Sequence, residues 1–165
     1  MDGGFGRAVR MVVEEVVRGV LVKKCGFGAR EVLVFGLGQG GMLGLVVGRE
    51  IAAMADEGNG DKWLSGVISI GAPYPLSASS LPGISPSGTK NRTPVLLVAG
   101  WDSSAVTESA VQRTRSIFEF VEVHRYARKG DGMPRNRDEM FPVMQFFARR
   151  LRSWQGVPEG SVEIS

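Results

Sequence analysis

Two residue types that build many metal and redox sites are nearly absent: the 165 residues hold one cysteine, Cys25, and one histidine, His124. A lone thiol excludes an internal disulfide, and the two together exclude a zinc site made of several thiolates or imidazoles. Long apolar runs are lacking too. Stretches such as Val32 to Phe35 and Val95 to Ala99 fall far short of the roughly 20 residues that span a bilayer. Charges at Arg7, Arg10, Glu14, Glu15 and Arg18 interrupt what would be the apolar core of a secretory leader. The expected compartment is the cytoplasm, with the nucleus second. Excess charge of one sign is also missing, since 20 basic against 17 acidic residues leave +3, too little to indicate nucleic-acid binding. No cofactor is expected. Glycine, by contrast, is abundant at 23 residues, many of them at sharp corners between apolar runs.

Those corners divide the chain into alternating elements. From about Ala8 to Lys23, Val9, Val12, Val13, Val16, Val17, Val20 and Leu21 fall at three-and-four spacing, which predicts an amphipathic helix ending near Gly26. Glu31 to Phe35 reads as a strand, Gly36 to Gly41 as a glycine turn, and Met42 to Ala55 as a second helix. Gly66 to Gly71 is a second strand, and the proline-rich stretch Ala72 to Arg92 is a loop. Thr93 to Ala99 gives a third strand, Val106 to Ile117 a third helix, Phe118 to Tyr126 a fourth strand and Arg137 to Ser153 a fourth helix. Near-continuous apolar strands alternating with helices specify an α/β fold: a mostly parallel sheet of about four strands in a three-layer sandwich. A single domain over residues 1–154 with a flexible tail over 155–165 is expected.

The turn Gly36-Leu37-Gly38-Gln39-Gly40-Gly41 admits two readings. Strand, glycine turn and helix fit a dinucleotide fingerprint, whose helix N-terminus holds a phosphate. That fingerprint also needs a carboxylate at the end of the next strand, where this chain has Ser69-Ile70-Gly71-Ala72. The second reading is a nucleophile elbow, G-x-S-x-G, with glycine in place of serine.

Four segments favour the elbow. Phe35 to Met42, FGLGQGGM, is similar to the G-F-S-Q-G-G-M elbow of the phospholipase/carboxylesterase branch of the α/β-hydrolases, which includes the acyl-protein thioesterases. Gly66 to Pro73 resembles the next strand of that branch. Thr93 to Asp102 resembles the strand leading to the triad acid, and Lys129-Gly-Asp-Gly-Met-Pro134 resembles the loop that bears the histidine. The resemblance runs from about Leu21 to Leu151 and implies the C-terminal portion of an α/β-hydrolase fold. It also implies that strands which precede the elbow in that branch are missing here.

The departures fall on the chemistry. Acyl transfer needs a hydroxyl nucleophile, an imidazole and a carboxylate. The resemblance aligns the nucleophile with Gly38, the base with Asp131 and the acid with Ser103, Asp102 lying one residue early. With the triad positions Gly38, Asp102 and Asp131 so degenerate, no catalytic residue is expected. His124 falls inside a strand, where an ordinary sheet-face role is the simpler reading, and Cys25 is expected to pack. What remains is a pseudo-hydrolase acting as an interaction or scaffold subunit. The alternatives are an active hydrolase built on Asp102 and Asp131, and nucleotide binding at the glycine turn. A ligand pocket is expected among Gly36, Gln39, Gly40, Tyr74, Trp101 and Met133.

Partners follow from edges and charge. If the earlier strands are absent, Val32, Leu33, Val34 and Phe35 form an apolar edge with no proline or lysine guard, expected to pair with a protein partner or a second copy. The stretch from Arg125 to Arg137, with Arg128, Lys129 and Arg135, is strongly basic and continues into Arg149, Arg150 and Arg152. It reads either as solvated surface or as the face for an anionic partner.

Overall fold

A computed structural model of the chain describes residues 3–53, 62–78 and 90–151. The proposed tail 155–165 and most of the proline-rich loop lie outside these. Four strands, β1 (Leu33–Leu37), β2 (Gly66–Ile70), β3 (Val95–Gly100) and β4 (Val121–Tyr126), pair in parallel in the order β1-β2-β3-β4. The register sets Phe35 beside Ile68, Ile68 beside Leu96 and Val98 beside His124. Every residue of β2 and β3 is buried, as expected of central parallel strands covered on both faces.

The helices divide between the two faces. On one side, α2 (Gln39–Ala53) and α3 (Glu108–Ile117) join a core that includes Leu45, Val47, Val67, Leu97 and Val111. On the other, α4 (Arg137–Arg150) places Val143 and Phe146 against Ile68, Ile70, Leu96, Val98 and Tyr126. Helix α3 starts at Thr107, whose hydroxyl accepts from the Ala110 amide, and α4 starts at Asn136, which accepts from that of Glu139.

Several boundaries differ from the sequence reading. Helix α2 begins at Gln39 instead of Met42, because the glycines that looked like a long turn complete it in one residue, Gly38. The first helix is α-helical only over α1 (Gly3–Arg10) and continues as a π-helix over Met11–Val22. Its buried side, Val9, Val13 and Val17, repeats every four residues. A strict four-residue stripe stays on one face only if the turn holds more than the 3.6 residues of an α-helix. Cys25, expected to pack, is exposed.

Candidate functional site

Strand β1 ends in a one-residue corner. Gly38 has φ +54°, its amide donates to the Ile70 carbonyl at 2.8 Å, and its carbonyl accepts from the Met42 amide at 3.1 Å in the first turn of α2. Left-handed backbone of this kind suits glycine. A side chain built at Gly38 would meet nothing within 4 Å, so the corner presents its open side outward. Gly36 is the opposite case, since a Cβ there would lie 2.3 Å from the Gly40 carbonyl carbon. This is the tight strand-to-helix geometry of a nucleophile elbow, with no nucleophile on it.

Ser103 and Asp131 meet above the same end of the sheet. Asp131 follows β4 and overlies Gly71, just beyond β2. One of its carboxylate oxygens accepts from the Gly100 amide at 2.9 Å and the other from the Ser103 hydroxyl at 2.7 Å. The Ser103 hydroxyl in turn accepts from the Val106 amide at 3.0 Å. Asp102 points elsewhere, accepting from the Gly130 amide at 2.9 Å. Ser103 and Asp131 are therefore hydrogen-bonded to each other, a link that ties the loop after β3 to the loop after β4. Asp102 and Asp131 each accept from a separate backbone amide, Gly130 and Gly100 respectively.

Arg128 holds the loop that bears Asp131. Its guanidinium pairs with Glu139 at 2.9 Å, donates to the carbonyls of Gly130 at 3.2 Å and Met133 at 2.9 Å, and lies 4.5 Å from the centre of the Tyr126 ring. The amide of Arg135 and the guanidinium of Arg128 hold the Glu139 carboxyl below its ordinary pKa. Arg125 donates to the carbonyls of Gly100 and Val106, and Arg149 and Arg150 pair with Glu122. Much of the basic stretch is thus engaged internally, leaving Lys129, Arg135 and Arg137 exposed.

Beneath Arg128, Tyr126 is 1% exposed and its hydroxyl has no hydrogen-bond partner. Burial pushes its pKa up, against the nearby Arg128 charge. An unpaired buried hydroxyl costs about 1–3 kcal/mol. Tyr126→Phe is therefore expected to raise stability by about 1 kcal/mol in urea denaturation, and a loss of that size would place a partner on the hydroxyl.

The candidate ligand residues do not converge. Gln39 and Gly40 line a groove of about 520 Å³ with Met42, Leu43, Pro75, Ser77 and the first turns of α1. Gly36 lies beneath the corner. Trp101, under Lys129 at 5.6 Å, and Met133 are exposed on the loops around Asp131. Tyr74 is a core residue: it is fully buried, packs edge-on against Phe118 and accepts a 2.9 Å hydrogen bond from Arg49. Its place after β2 suggested a pocket wall, but buried Arg49 draws the phenol inward, and only the spatial contact reveals that. His124 lies half-buried in β4 with its ring edge-on to Tyr126. Among the described residues no group of three or more His, Cys, Asp or Glu could hold a metal, and no helix is long and apolar enough to cross a membrane.

No family model and no curated protein matches the chain. Its structure is similar to the crystal structure of a point variant of SOBER1 from Arabidopsis thaliana, with a TM-score of 0.65 over 92% of this chain and 67% of that one, at 20% identity. The fold is that of the α/β-hydrolases. In this chain Gly38 forms the corner after β1, Ser103 follows β3 and Asp131 follows β4.

Proposed function

We propose that this α/β-hydrolase-fold domain performs no serine-type hydrolysis and works by binding, through a protein partner that pairs with its β1 edge. The observation that supports this best is the state of Asp131. Its two oxygens are taken by the Gly100 amide and the Ser103 hydroxyl, and Gly38, at the corner after β1, has no side chain to activate. Both oxygens of this carboxylate are engaged in hydrogen bonds that stabilise loops. Strand β1 supplies the binding surface, with Phe35 and Leu37 both exposed.

The test compares the full chain with two variants, using a serine-directed fluorophosphonate probe and a short acyl thioester. The natural chain is expected to remain unlabelled and to give no turnover above buffer. Gly38→Ser costs about 1–2 kcal/mol for a left-handed non-glycine residue but meets no steric obstacle, and alone it lacks a base. Adding Asp131→His is expected to raise labelling on the order of 100-fold over Gly38→Ser, the contribution of a positioned general base. Turnover by the natural chain that disappears in Asp131→Asn or Asp102→Asn would overturn the reading in favour of a carboxylate-based hydrolase.

A further inference from the structure

We infer that the occupant of the β1 edge is a second copy of this chain, joined about a two-fold axis through Phe35 so that two four-stranded sheets become one. The inference deepens the binding reading above by naming the partner.

The two edges of the described sheet differ. Strand β4 carries Glu122, His124 and Arg125, charges of the kind that keep an edge from pairing. Strand β1, Leu-Val-Phe-Gly-Leu, has none. Its backbone is also set for pairing. The Val32 carbonyl accepts from the Ser65 amide and the Gly38 amide donates to the Ile70 carbonyl, so even-numbered residues turn their polar groups toward β2. By strand alternation, Leu33, Phe35 and Leu37 turn theirs outward. Five residues centred on Phe35 then form a self-complementary antiparallel unit, with Leu33 opposite Leu37 of the second copy and Phe35 opposite itself. No like charges meet across it.

The side chains extend the same surface. Leu33, Met140 and Phe147 all pack against the same buried cluster, and the Phe35 ring lies 6.1 Å from that of Phe147, so the strand edge continues onto α4. There Phe141, Met144, Ala148 and Leu151 follow at three-and-four spacing, all exposed. With Phe35 and Leu37 this face leaves on the order of 500 Å² uncovered, so two such faces bury about 1,000 Å², the range of weak and transient interfaces. A face of that area suits a reversible, concentration-dependent dimer.

Sedimentation of the full chain from low micromolar to about 100 μM is expected to show a dimer that grows with concentration. Leu37→Lys with Met144→Lys, both at exposed positions, is expected to weaken it at least about tenfold while the circular dichroism spectrum stays unchanged. In a Cys25→Ser background, Phe35→Cys is expected to give an oxidised covalent dimer, since residues in a hydrogen-bonded antiparallel pair sit about 5.5 Å apart, within disulfide reach. Glu122→Cys on the opposite edge should not. A chain that stays monomeric at every concentration, or a dimer indifferent to the two lysines, would overturn the inference. Either result would leave the non-hydrolytic reading standing if the chain remained inert to the probe and thioester, whereas turnover by a dimer would remove that reading and keep the interface.

Discussion

Gly36→Ala is expected to destabilise the domain by about 4 kcal/mol or more, near the limit of what a domain of ordinary stability tolerates. The added Cβ would lie 2.3 Å from the Gly40 carbonyl carbon, 2.4 Å from its oxygen and 2.5 Å from the Gly41 amide nitrogen. All three are backbone atoms, so no side chain can swing aside, and relief requires separating β1 from α2. Gly40→Ala is the control, because a Cβ there meets nothing within 4 Å. It should shift stability by less than about 1 kcal/mol, with a gain expected from lower freedom in the unfolded chain. Urea unfolding followed by far-ultraviolet circular dichroism measures both. A loss below about 1 kcal/mol for Gly36→Ala would mean that strand and helix do not meet in the elbow described.

Arg128→Ala is expected to cost about 2–3 kcal/mol from the carbonyl hydrogen bonds and the ring contact alone, and to release the loop bearing Asp131. Hydrogen exchange at the Gly130 amide, which donates to Asp102, reports that release directly. Arg128→Lys should recover little, because a single ammonium cannot reach Glu139 and the Gly130 and Met133 carbonyls together while lying over the Tyr126 ring. The loss should also depend on pH. The Arg135 amide and the Arg128 guanidinium hold the Glu139 pKa below its unfolded value. A carboxyl so lowered adds stability above its unfolded pKa and loses that stability as the pH falls through the folded one. The gap between natural chain and variant should therefore narrow on acidification. A gap that is constant from neutral to acid pH would show that Glu139 and Arg128 are not coupled.

How much of this was legible beforehand depended on how local each cause is. Burial on both faces makes a strand apolar throughout, so Val95 to Ala99 announced a central strand without any coordinates. The strand-to-helix turn could be placed because a one-residue corner requires glycine-sized atoms at fixed offsets, which Gly36, Gly38 and Gly41 supply. The start of α2 was misread for the same reason, since glycines that permit close packing look like glycines that make a turn. Tyr74 was misplaced because proximity to a site in sequence does not say which way a ring points. Only buried Arg49, 25 residues earlier, decided it.

By itself the sequence determined that the chain is α/β, that its strands are parallel, and which functional groups stand at Gly38, Ser103 and Asp131. Those conclusions rest on periodicity and on which functional groups are present, and both are properties of the linear chain. The tertiary structure decided which groups those residues bond. The capture of Asp131 by Gly100 and Ser103, the clamp of Arg128 and the difference between the β1 and β4 edges all arise from groups far apart in sequence that only the sheet order brings together.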